Sequence, residues 1–221
     1  MMWGTVAVSF VLSLGLFFYL PIILTDLVVP AGEGSVVWNA VDGFFRVLMF
    51  VLYLWGISKL PDMARVFEYH GAEHKSIHAF ENGRSLDADG SREFTTLHPR
   101  CGTSFLFFVM LISIVVFSFL GRPEDLGDRL TRLAFVPLIG GLAYEAIKLS
   151  GKYAKSWFIK PAIFPGLMLQ KITTSEPDDD QLTVAMAALK AVLTPEADDF
   201  TERTYYDLPE DHAPATEGAT A

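Results

Sequence analysis

Apolar residues are distributed along the chain in two patterns. In four places they run almost unbroken for the roughly 17–25 residues that a helix needs to cross a hydrocarbon core: 6–24, 36–58, 103–120 and 133–149. Several of these runs are rich in Val, Ile and Phe. In hydrocarbon, however, only a helix satisfies its own backbone, so each predicts a membrane-spanning helix. The first run has no Lys or Arg before it and is too long for the apolar core of a signal peptide, so it is expected to remain as a span. The second carries Asp42 and Arg46, whose i, i+4 spacing predicts that they satisfy each other inside the bundle. The fourth carries Glu145.

Elsewhere the pattern is broken or periodic. Residues 59–102 form a polar insertion, and 151–172 are apolar but interrupted by Pro161 and Pro165 and fringed by lysines. The latter is expected to lie on the membrane surface. Ser175 to Asp178 looks like a helix start, after which Leu182, Ala185, Met186, Leu189 and Leu193 share one helical face. Residues 194–221 hold eight acids against one base, Arg203, as expected of an acidic disordered tail. The pattern predicts an all-α, polytopic helical membrane protein with about four transmembrane helices and a cytoplasmic helical cap. Along the chain it consists of a transmembrane hairpin (1–58), a His-rich insertion (59–102), a second hairpin (103–149), a surface segment with an amphipathic helix (150–193) and the tail.

Composition sharpens this picture. Of the 221 residues 51% are hydrophobic and only 19% charged, against about a quarter charged in an average soluble domain. A net charge of −9 argues against a nucleic-acid partner, and the single cysteine excludes a disulfide scaffold. Lys59, Arg65, Lys75, Arg84, Arg92 and Arg100 lie between spans two and three. Lys148, Lys152, Lys155, Lys160 and Lys171 lie at and beyond the end of span four. No Lys or Arg lies between spans one and two, and Arg122, Arg129 and Arg132 lie between three and four. The bias places both termini and the insertion in the cytoplasm. The lipid bilayer is the expected partner. Gly140 and Gly141 would permit close helix contact with another copy or another membrane protein.

Four of the five histidines, His70, His74, His78 and His98, fall within residues 70–98. On a helix over 67–81, His70 and His74 share a face, Glu81 returns to within about 20° of His70, and His78 sits about 80° away. Two imidazoles at i and i+4 can hold one divalent ion, with a nearby carboxylate to activate water. His70, Glu73 and His74 match the H-x-x-E-H pattern of inverted zinc metalloproteases. Hydrogen-bonded or solvated histidines on a polar helix are the structural alternative, and Gly71 within the motif costs about 1 kcal/mol of helix propensity relative to Ala. His98 and Cys101 form a second cluster. Beside Arg100, Cys101 can be a thiolate ligand or nucleophile, or simply a small buried side chain. Glu145, near the cytoplasmic end of span four, can be a third ligand, a proton acceptor or a partner of Lys148. The assigned candidates are Glu73 and Cys101 for catalysis and His70, His74, His98 and Glu145 for a divalent metal, with zinc expected on ligand softness.

The runs Glu68–Lys75, His98–Phe105, Tyr144–Lys148 and Pro165–Gln181 resemble the YqhQ-like family of bacterial inner-membrane proteins. The resemblance covers about residues 40–193. It implies an inner-membrane location and the family's label of metal-dependent enzyme, and it carries His70, Glu73, His74, Glu81, His98, Cys101 and Glu145 as pattern positions. His78 is outside the pattern. Longer members carry an N-terminal soluble region that this sequence is expected to lack. No phosphate-cradling loop, Rossmann fingerprint or Ser-His-Asp arrangement is found in the sequence. The expected function is therefore a metal-dependent hydrolase at the cytoplasmic membrane face. The alternative is a non-enzymatic channel, transporter component or assembly factor with a structural metal or polar site.

Overall fold

Helices make up all the regular structure among the described residues, 2–153 and 156–193 of a computed structural model. The expected acidic tail, 194–221, lies outside them. The first apolar run forms α1 (Met2–Leu14), a π-helical turn (Gly15–Tyr19) and α2 (Leu20–Val28). Then follow α3 (Ser35–Ile57), α4 (Pro61–Glu81), α5 (Ala88–Arg92), α6 (Gly102–Leu120), α7 (Leu126–Lys152), α8 (Lys160–Thr173) and α9 (Asp179–Leu193). Trp3–Val28, α3, α6 and α7 are each long and apolar enough to cross a membrane, which is compatible with a membrane protein. Helix α7 begins earlier than its apolar run. Asp125 accepts a hydrogen bond from the Asp128 backbone N–H at 2.9 Å, so a side-chain cap brings the polar residues ahead of the apolar run into the helix.

The chain divides into two compact units. Among the described residues, one comprises 2–57 and 99–170 and the other 58–98 and 171–193, so the division falls within α8. In the first unit α2 packs on α3, α3 on α6 and α6 on α7. Its π turn has a local cause. Pro21 has no N–H to give the Phe17 carbonyl four residues back, and its ring crowds that carbonyl. Arg46 donates to it instead, Nη1 to O at 2.9 Å. The same guanidinium grips Asp42 through Nε at 2.7 Å and Nη2 at 3.2 Å, which realises the expected i, i+4 pair. One turn before Asp42 on α3, Asn39 Oδ1 accepts from Arg132 Nη2 at 2.9 Å, and Asn39 Nδ2 donates to the Gly121 carbonyl at 3.1 Å. Gly121 has φ +86°, the left-handed region that glycine enters without a Cβ penalty, and it ends α6. Near the end of α8, Gln170 donates to Ser104 Oγ at 2.8 Å, and both are buried.

In the second unit α4 packs against α9 and the short α5. Leu182 and Met186 on the predicted face of α9 are buried. The cap of α9 is Asp178, where the sequence pointed to Ser175. Asp178 Oδ1 accepts from the Gln181 N–H at 2.8 Å and Gln181 Oε1 accepts from the Asp178 N–H at 2.9 Å, a reciprocal capping box. Ser175 is engaged elsewhere: its N–H donates to the Phe67 carbonyl at 2.9 Å. Gln181 Nε2 also donates to Glu68 Oε2 at 2.7 Å, and the buried Lys75 pairs with Glu176 while donating to the Arg92 carbonyl at 3.0 Å.

Gly71 owes its place to this packing. A Cβ there would run into the Ser175 carbonyl oxygen, a backbone atom that cannot swing aside. Gly71→Ala gains about 1 kcal/mol of helix propensity but overpacks a site where such insertions typically cost about 1–3 kcal/mol. A net loss of stability is expected. It should be read as faster amide hydrogen exchange in α4 and α9 of the full-length protein, and unchanged or slower exchange would refute the packing role.

Candidate metal centre

Helix α4 presents His70, His74 and His78 one turn apart, and the 93–98 stretch and the 171–176 stretch supply the backbone around them. His70 Nδ1 lies 2.8 Å from the Thr173 carbonyl oxygen, and His74 Nδ1 lies 2.5 Å from that of Thr96. A carbonyl can only accept, so both Nδ1 atoms carry a proton, and in the neutral ring the lone pair sits on Nε2. This is the arrangement in which an imidazole is oriented and made more basic for a metal ion. The two rings are 4.4 Å apart, centroid to centroid.

His78 donates Nε2–H to the Leu97 carbonyl at 3.0 Å, which leaves its lone pair on Nδ1. Burial pushes its imidazole below the ordinary histidine range. The Leu97 carbonyl and Glu81 act against this shift, while His98 and His74 add to it. His98 is buried and has Nε2 3.4 Å from Glu81 Oε2. The His98 ring is 5.7 Å from that of His74 and 4.7 Å from that of His78, so the four imidazoles form a continuous row. Ligand atoms of His78, Glu81 and His98 all lie within 4.8 Å of one another. Imidazole nitrogens with carbonyl-anchored rings, together with a carboxylate, are a donor set that could hold a divalent ion of borderline softness.

Of the sequence candidates, His70, His74 and His98 come together in the second unit. Glu73 is on the same helix and exposed. Cys101 and Glu145 belong to the first unit. Cys101 is buried at the start of α6 with Sγ 3.2 Å from Thr103 Oγ1. Glu145 is exposed on α7, where Lys148 Nζ stands 6.0 Å from the Tyr144 ring centre.

Two features differ from the helical-wheel expectation. Glu81 shares an angle with His70 but lies eleven residues on, about 16 Å along the axis at 1.5 Å per residue, and it faces His98 instead. His78, discounted from the sequence, belongs to the cluster because the 93–98 segment brings His98 to it. The repeat of the i, i+4 interval from His74 to His78 was the available signal.

The fold and site define an all-helical protein with four helices able to cross a membrane and groups of His and Glu side chains able to hold a metal ion. The chain belongs to the DUF1385 family, described as proteins of unknown function, whose model matches residues 1–195. It is 31% identical over 189 residues to the uncharacterized protein YqhQ of Bacillus subtilis (strain 168), an alignment covering 86% of this chain and 59% of that protein. No solved structure matches the chain.

Proposed function

We propose that the protein resides in the bacterial cytoplasmic membrane, with its termini and histidine-bearing unit on the cytoplasmic side, and acts as a zinc-dependent hydrolase. The observation that carries the reading is the pair of carbonyl-anchored rings of His70 and His74, whose lone pairs are set on Nε2. Support for the membrane comes from the four apolar helices, which leave large side chains such as Trp3, Phe10, Phe119 and Leu133 uncovered. Such surface needs hydrocarbon or another protein against it. The lysine and arginine distribution supports the orientation.

His70 and His74 hold the ion in this reading. Once bound there, a divalent ion would supply Lewis acidity. Glu73, adjacent to His74 and open to solvent, takes the proton from the attacking water and returns it to the leaving group, so that one water is added across the bond that breaks. Elemental mass spectrometry of detergent-purified protein tests the site. Zinc is expected in the wild type, and His70→Ala/His74→Ala should lose the equivalent held by this pair. Metal-free wild type, purified without chelator, would overturn the reading.

One observation favours a second reading, a channel, transporter component or assembly factor. Asn39 and the Asp42–Arg46 pair line a cavity of about 170 Å³ in the first unit, and Arg132 donates to Asn39. In that case cellular function would follow substitutions at Asp42 or Arg46 and ignore Glu73→Gln.

A further inference from the structure

We propose that the second unit holds a second divalent cation, bound by His78, Glu81 and His98, beside the one assigned to His70 and His74. The proposal rests on the metal reading above and deepens it, turning a single-ion site into a two-ion centre.

Three observations carry it. First, one ligand atom from each of the three residues lies within 4.8 Å of the other two, so a single point can be reached by all of them with small side-chain adjustments. Two imidazoles and one carboxylate are a sufficient donor set for a divalent transition metal and leave coordination positions open. Second, the His78 ring is anchored by a backbone carbonyl in the same manner as His70 and His74, although through the opposite nitrogen: Nε2 donates to Leu97, and the lone pair is on Nδ1. Third, the contact between His98 Nε2 and Glu81 Oε2 is 3.4 Å, longer than the about 2.7–2.9 Å of a charge-assisted N–H···O bond. The spacing suits two ligands facing a common ion better than a finished ion pair.

The same contact turns His98 Nε2 toward Glu81, which assigns His98 to this position rather than to the first one. Along the row of rings, the first position is flanked by His74 and the second by His98, whose centroids are 5.7 Å apart. The two ions would therefore be neighbours. A paired arrangement of this kind would suit hydrolysis at an anionic centre, to which two cations would supply charge neutralisation.

The test is zinc stoichiometry and cobalt(II) absorption of the full-length protein in detergent. Wild type, His78→Ala, Glu81→Gln and His70→Ala/His74→Ala are compared, with thermal unfolding in chelator to confirm that each apo variant folds like the apo wild type. Two equivalents are expected in the wild type. One equivalent is expected in His78→Ala, in Glu81→Gln and in the double variant, the double variant retaining cobalt absorption that His78→Ala then abolishes. One wild-type equivalent, lost in the double variant and indifferent to His78→Ala and Glu81→Gln, overturns the second position while leaving the first. One equivalent lost in His78→Ala but kept in the double variant overturns the function proposed for His70 and His74 and leaves a lone ion on His78, Glu81 and His98. No metal in any sample overturns both.

Discussion

Arg46→Met is expected to destabilise the first unit by about 3–5 kcal/mol, the range observed when one partner of a buried ion pair is removed. Asp42 has a side chain only 3% exposed, and its two oxygens are held by Arg46 Nε and Nη2. Methionine keeps much of the arginine stem's volume but donates nothing. The carboxylate would then be left charged in an apolar bundle, and the Phe17 carbonyl would lose its side-chain donor beside Pro21. The companion variant, Asp42→Asn/Arg46→Met, removes the stranded charge and should recover more than half of the loss. With the Asp42→Asn single variant the four proteins form a double-mutant cycle, so the coupling is separated from simple loss of packing. Unfolding titrations in mixed micelles provide the measurement. A loss below about 1 kcal/mol, or a double variant no better than the single one, would show that the pair is not what holds α3 against the π turn.

Glu73→Gln is the second change with a large expected effect. General base catalysis contributes about 10²–10⁴-fold to a rate, and this loss is expected in kcat with KM unchanged, because the proposed role has the carboxylate acting on the water and not on the bound substrate. The glutamate is exposed, so the near-isosteric amide should leave folding and zinc content as in the wild type. Rates on panels of esters, phosphoesters and peptides, with cellular complementation alongside, would check it. Undiminished turnover with zinc in place would remove Glu73 from the mechanism. Turnover lost together with the metal would mark it as a structural residue.

Much of the architecture was legible along the chain. The apolar runs at 6–24, 36–58, 103–120 and 133–149 coincide with the four long helices, because uninterrupted apolarity of that length has few other uses. The i, i+4 interval of Asp42 and Arg46, and that of His70 and His74, correctly placed each pair together, since contacts one helical turn apart are local geometry. The limits of the local reading show at Glu81, where angular agreement with His70 ignored the distance along the axis, and at Gly71, where a helix-weakening residue is the point on which Ser175 packs.

The sequence by itself determined that the described residues are helical, with four helices long and apolar enough to cross a membrane, and equipped with clustered imidazoles and carboxylates. These follow from hydropathy, from periodicity and from residue type, none of which depends on what lies across the fold. Tertiary structure alone decided that residues 58–98 and 171–193 form one unit, and that the Thr96, Leu97 and Thr173 carbonyls assign the ring protons of His74, His78 and His70. It also decided that His98 meets His78 and Glu81. Each of these depends on a backbone segment returning from elsewhere in the chain. A hydrogen-bond acceptor supplied by the main chain has no residue type to betray it in the sequence.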